Sequence, residues 1–206
     1  MIGLAVSRKA IDMRHSKTLG IGSMLLVAAS SLAMIGCGDE EVVAYSEPVD
    51  LKLGSIKESD ATGGIFMDEK NVNTEPGNPY QAFLDHAVAE LDGAPPAAIL
   101  VDRVVVRVGA DSSGIGAGGF SEVFADLSVY LGDSATTVVV AALDPVPTGS
   151  ELEVPIVADR AALEPIRASM ISGSLKVGVR GASAASPPAA FDLRTETTIT
   201  FRALAE

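Results

Sequence analysis

From residue 99 onward the chain alternates apolar and polar residues with a period of two. Val104, Val106 and Val108 oppose Arg103 and Arg107; Leu152, Val154 and Ile156 oppose Glu151 and Glu153; Leu175, Val177 and Val179 oppose Lys176 and Arg180. Successive side chains of a strand leave on opposite faces, so each run reads as a half-buried strand. Residues 126–131, 137–143 and 193–202 add three more, the last with Ile199 and Phe201 facing in and Thr198, Thr200 and Arg202 facing out. Earlier, Val49, Leu51 and Leu53 alternate with Asp50 and Lys52, which brings the number to seven. Seven strands joined by turn-rich segments predict a mainly β fold, an antiparallel β-sandwich of immunoglobulin-like or jelly-roll-like type.

The period changes to 3.6 only once, between residues 79 and 91. Asn78 is placed to cap, Pro79 fits the first helical position, Gln81 sits where a capping-box partner belongs, and Tyr80, Phe83, Leu84, Ala87, Val88 and Leu91 share one face. Asp92-Gly93 and Pro95-Pro96 end this helix. Residues 54–79, with Gly63-Gly64, Asn71, Asn73 and Pro76-Gly77, are expected to be a long turn-rich stretch. Residues 161–166 suggest one helical turn, and the Ser/Ala/Pro run at 182–190 a mobile loop.

The first 36 residues follow a different logic. Arg14, His15 and Lys17 precede 18 mostly apolar residues, 19–36, which end in small side chains and are followed by Asp39, Glu40 and Glu41. Charged, then apolar, then small is the order of a secretory signal, and the three glycines and three serines inside the run argue against a membrane span. Met34, Ile35, Gly36 and Cys37 resemble the lipobox of bacterial lipoproteins. That resemblance covers the leader alone, and Met34 stands where the family usually has Leu. It implies transfer of a diacylglycerol to the Cys37 thiol and cleavage just before it. Cys37 is thus the expected lipid attachment, holding the protein to a membrane without spanning it. In that family an Asp directly after the cysteine retains the protein in the inner membrane, so the resemblance, with Gly38 at this place, implies the outer membrane over the inner. From Met1 the signal has 36 residues, but from Met13 it has 24, which is a usual length, so translation is expected to start at Met13. The expected organisation is a signal over 1–36, an acidic tether over 37–48, and a single sandwich domain over 49–206.

Charge and inventory then narrow the function. Beyond residue 36 there are 26 acids and 11 bases, a net charge of −15, with the bases scattered singly, so nucleic acid is an unsuitable partner. The single cysteine is consumed by lipid, leaving neither disulfides nor a thiol nucleophile, and nine aromatics without Trp make a poor sugar-stacking platform. His86, the one histidine of the exported part, sits on the edge of the helix's apolar face and reads as structural or exposed. Gly114, Gly116 and Gly119 satisfy G-x-G-x-x-G, with Asp133 nineteen residues after the first. The strand before them carries Asp102, Arg103 and Arg107, however, and the apolar pattern after them is too short for a crossover helix, so a hairpin loop is expected in place of a dinucleotide site. The densest oxygen cluster is Asp68, Glu69, Asn71, Asn73 and Glu75, whose spacing does not match an EF-hand. These readings name no catalytic residue, no metal ligand and no cofactor. They favour a membrane-anchored envelope module that binds a protein partner through loops or a strand edge, with a periplasmic acid-residue or calcium-assisted hydrolase as the alternative.

Overall fold

The computed structural model of the protein describes residues 44–206. The signal, Cys37 and the first part of the tether lie outside the described residues. Eight strands are present: β1 (Ala44–Lys57), β2 (Ile65–Asn71), β3 (Ala98–Val108), β4 (Leu127–Gly132), β5 (Thr137–Leu143), β6 (Glu151–Glu153), β7 (Lys176–Ala182) and β8 (Asp192–Leu204). They form two four-stranded antiparallel sheets, in the orders β1-β8-β3-β6 and β2-β7-β4-β5, packed face to face as a sandwich over one hydrophobic core.

The pairings nest. Strand β1 lies against β8, β2 against β7, β3 against β6 and β4 against β5, as if one long hairpin had been rolled over on itself. Two further pairings, β3 with β8 and β4 with β7, complete the sheets, and this order is that of a jelly roll. Only β4 and β5 are sequence neighbours within one sheet; every other connection crosses from one sheet to the other. The 14-residue β1 is long enough, at about 3.3 Å per residue, to run roughly 45 Å from one pole of the sandwich to the other. At its starting pole Ala44 and Ala98 both lie beside Leu204, and at the far pole Lys57 lies beside Asp192.

Local signals account for the helices. In α1 (Pro79–Glu90), Asn78 Oδ1 accepts the backbone N–H of Gln81 at 3.2 Å, and Tyr80, Phe83, Leu84 and Ala87 are buried. The Gln81 side chain donates to Asp85 at 2.9 Å instead of completing a capping box. The helix packs on β1 at the starting pole, where Tyr80 and Phe83 close on Phe201 at ring-centre distances of 4.9 and 5.6 Å and Tyr45 stacks on Phe83 at 6.2 Å. At the far pole Phe66 meets Phe191 at 5.5 Å and Phe124 at 6.0 Å, beside Phe120 of the single turn α2 (Phe120–Val123). Eight of the nine aromatics thus plug the two ends of the sandwich, and Val, Leu and Ile fill the middle. The ninth, Tyr130, lies flat across Gly178, where any β-carbon would sit 2.3 Å from its ring.

Several expectations are corrected. Residues 44–48, assigned to the tether on their composition, are paired strand, because β8 offers a partner along its whole length. The stretch 54–79 contains β2, so there are eight strands and not seven. Residues 154–156 leave β6, and Ile156 bridges to Ala141 beside β5. The single turn expected at 161–166 is longer: α3 (Arg160–Leu163), capped by Asp159, a 3-10 turn at Glu164–Ile166, and α4 (Arg167–Ile171). The segment after Ala182 is tied at its start, Ser183 N–H donating to Gly64 O and Ala184 N–H to Val123 O, both at 2.8 Å.

Thr195 and Thr197 alternate with the outward residues of β8 and so point into the core, each 1% exposed and with a hydroxyl that has no hydrogen-bond partner. A buried hydroxyl without a partner carries its desolvation cost uncompensated. Thr197→Val is therefore expected to stabilise the fold by about 1 kcal/mol, read as a higher urea midpoint with an unchanged slope.

Candidate functional site

The acidic stretch at 68–75 does not converge on a point. Strand alternation sends Asp68 and Lys70 toward β1 and Glu69 and Asn71 to the outer face. Asp68 accepts the backbone N–H of Gly54, and Glu75, 8% exposed, accepts the N–H of Lys52 at 2.9 Å and the Lys70 ammonium at 2.7 Å. Lys70 also donates to Lys52 O at 3.2 Å. Gly54 and Lys52 belong to the outer edge of β1, so these side chains take over the backbone groups that a neighbouring strand would otherwise use. On the other face Glu69 accepts from Lys176 at 2.8 Å and from the Tyr130 hydroxyl at 3.2 Å. The cluster that composition suggested for calcium is committed to structure, and among the described residues no group of three His, Cys, Asp or Glu side chains is arranged to hold a metal.

The glycine loop likewise differs from its sequence reading. It joins β3 in one sheet to β4 in the other, so it is a crossing and not a hairpin. Its amides are occupied: Gly116 and Gly118 N–H donate to the two carboxylate oxygens of Glu122 at 2.7 and 2.8 Å. Gly119, at φ +60°, forms a bridge with Gly149, whose carbonyl a β-carbon at Gly119 would strike at 2.0 Å. Gly114 is held as closely against Ala190 O. These glycines let three far-pole connections touch through their backbones. Asp133 is at the opposite pole, where it caps the β4–β5 turn through the amides of Ala135 and Thr136, both at 2.8 Å.

His86 is exposed on α1, with Nδ1 3.0 Å from Glu47 Oε2, and the Tyr45 hydroxyl donates to that same oxygen at 2.7 Å. No nucleophile or second acid joins them in the described contacts.

Among the hollows of the described residues, one brings β1, β8 and the connection after β3 together in a way that periodicity could not reveal. A cleft of about 550 Å³ lies at β1 and β8 near the far pole, lined by Lys52, Leu53, Gly109, Ala110, Asp111, Arg194, Thr195 and Glu196. A smaller hollow of about 170 Å³ adjoins it and shares Lys52 and Glu196. Below the cleft a row of bonds crosses all four strands of this sheet: Thr198 donates to Asp50 at 2.6 Å, Arg107 to Thr198 at 2.8 Å and to Glu151 at 2.7 Å. Both charge signs line the cleft and no aromatic does, which suits a polar ligand held by hydrogen bonds.

No family model matches this chain, and no curated protein matches it.

Glu75→Ala is expected to destabilise the fold by about 2–4 kcal/mol, because it leaves a partly buried ammonium and the Lys52 amide without their acceptor. Urea unfolding reads the loss, and faster hydrogen exchange at Lys52 locates it. Millimolar calcium is expected to leave the wild-type melting temperature unchanged. Stability should also depend on pH. Lys176 holds Glu69 below the ordinary glutamate value of 4.5, and His86 does the same for Glu47. Both groups favour the folded state above that value and lose the contribution as pH falls through it. Asp68, raised chiefly by burial, acts in the opposite sense and favours the fold more strongly at acid pH. The expected result is a melting temperature that falls below about pH 4.5, less steeply in Glu69→Gln and more steeply in Asp68→Asn.

Proposed function

We propose that the protein is a lipid-anchored module of the bacterial cell envelope, attached through Cys37 and acting by binding another protein without catalysing a reaction. The observation that carries this reading is the place where the chain enters the fold. Cys37 precedes the first described strand by seven residues, a span of at most about 25 Å when fully extended. Strand β1 begins at one pole and ends at the other, so an anchor at Cys37 would hold the starting pole near the lipid. The far pole, with the Lys52–Arg194 cleft and the crossings at 109–119, 144–150 and 183–191, would then be presented outward, as loops that carry binding commonly are. The residue after the cysteine, Gly38, favours the outer membrane as the site of attachment.

The reading without catalysis draws support from how the candidate carboxylates are used. Asp68, Glu69, Glu75, Glu122 and Asp133 each accept bonds from backbone amides or basic side chains of the chain itself.

Cys37→Ser is expected to accumulate an unprocessed precursor without lipid, whereas wild-type protein ends at a diacylated Cys37. Mass spectrometry of the membrane-associated protein decides this, and an unmodified Cys37 or a terminus elsewhere would refute the anchor. Purified protein is expected to release no product from envelope polymers, and reproducible turnover would favour the hydrolase.

A further inference from the structure

The bonds flanking β2 fix which of its backbone groups are in use. Ser183 N–H donates to Gly64 O and Val72 N–H to Leu175 O, and the register between those two bonds is unbroken. Antiparallel geometry then turns the amides and carbonyls of Phe66, Asp68 and Lys70 toward β7, and those of Ile65, Met67, Glu69 and Asn71 away from it. Ile65 is satisfied in both directions by Thr62, at 2.9 and 3.1 Å, and Asn71 O accepts from the Thr74 hydroxyl at 2.7 Å. Glu69 N–H leans on the Asp68 carboxylate. Met67 N–H, Met67 C=O and Glu69 C=O have no hydrogen-bond partner among the described residues.

The other long edges are covered in part. The β1 edge is covered at Lys52 and Gly54 by Asp68, Lys70 and Glu75, and β5 is covered at Val140 and Ala142 by the segment after β6, with Ala142 N–H donating to Pro155 O at 3.0 Å and Val157 N–H to Val140 O at 2.9 Å. Proteins ordinarily protect such edges, and the β2 edge is instead flanked by two exposed apolar side chains on its outer face, Ile65 and Met67, 50% and 55% exposed.

We propose that the open edge of β2 docks an extended cationic segment of another protein, which adds to this sheet as a fifth strand. The proposal names the surface used by the binding module described above and rests on that reading. Side chains of an added strand would alternate. Those on the outer side would lie over Ile65 and Met67 and must be apolar; those on the inner side would approach Asp68, while Lys70 on that side is already paired with Glu75, and are favoured as cations. Charge supports the same sign. The described residues hold 23 acids against 11 bases, and nine of those bases are already in ion pairs. A second copy of this chain fits poorly. Pairing Met67 with Glu69 of the copy sets two Asp68 side chains directly opposite each other, and pairing Met67 with Met67 leaves only two hydrogen bonds, because the next position is the already bonded Ile65.

The probe is a fluorescent, end-blocked heptapeptide, Lys-Val-Lys-Val-Lys-Val-Lys, titrated into the purified full chain in detergent. Saturable binding is expected, with at least tenfold slower hydrogen exchange confined to residues 65–71. A scrambled peptide of the same composition and a version with Glu for Lys should each bind at least tenfold more weakly. Met67→Pro should reduce binding at least tenfold while leaving the fold intact, because the amide it removes does not bond to β7; Met67→Lys, which keeps the backbone, should do the same if the proline variant fails to fold. Equal binding of the scrambled peptide, binding untouched by a folded Met67 variant, or self-association of the chain that those variants abolish would each overturn the proposal. Peptide binding is read on purified protein and lipidation at Cys37 by mass spectrometry, so failure of the anchor and failure of the edge are separate results.

Discussion

The pairing of β1 with β8 is the interaction on which the rest of this molecule depends. Strand β8 is bonded on both sides, to β1 and to β3, so the β1-β8-β3-β6 sheet has no centre until the last strand is in place. Ala44 meets Leu204 and Ala98 meets the same residue, so three distant parts of the chain close on one point at the starting pole. Helix α1 docks there through Tyr80 and Phe83 onto Phe201, a residue that reaches its position only once β8 is inserted. Contacts of such long sequence separation carry the loop-closure cost before they give any return, which places this fold among the slow-forming β topologies.

A sandwich closed in this way has edges, and the chain covers them mainly with side chains and connections. Most of its unusual residues serve that purpose. Carboxylates in the 68–75 stretch satisfy the amides of Lys52 and Gly54 on β1, Glu122 fills amides of the glycine loop, and Asp133 caps the β4–β5 turn. Aromatics close the two open ends. Several of the acids thus serve as acceptors for backbone amides. The stretch of β2 at Met67 and Glu69 lacks this protection and carries two exposed apolar side chains beside it, Ile65 and Met67.

The two poles differ in what they can do. Where β1 begins, helices α1, α3 and α4 make a compact base beside the entry of the chain. The opposite pole is built from crossings that the jelly-roll topology forces to pass between sheets, and they meet through glycine backbones at Gly119 and Gly149. The cleft at Lys52 and Arg194 opens near those crossings because the connection after β3 rises beside the β1–β8 pair.

The sequence by itself determined the elements whose causes are local. Alternation at 104–108 and 193–202 marks strands because the pleat has a period of two, and Asn78-Pro79 marks a helix start because cap and dihedral requirements act within one turn. It also determined the charge, the scarcity of nucleophiles and the lipobox-like stretch ending at Cys37, which are matters of residue identity alone. Strand β2 escaped detection because Gly63-Gly64 and its charged residues mimic a loop, and residues 44–48 because an acidic strand is held by its partner and not by its own hydrophobicity. Only the tertiary structure decided which strands pair, that the acids of 68–75 cap β1, that Glu122 occupies the glycine loop, and which edge stays open. Each of those outcomes depends on contacts between residues far apart in the chain, and a periodicity of two says which way a side chain points without saying what will lie beside it.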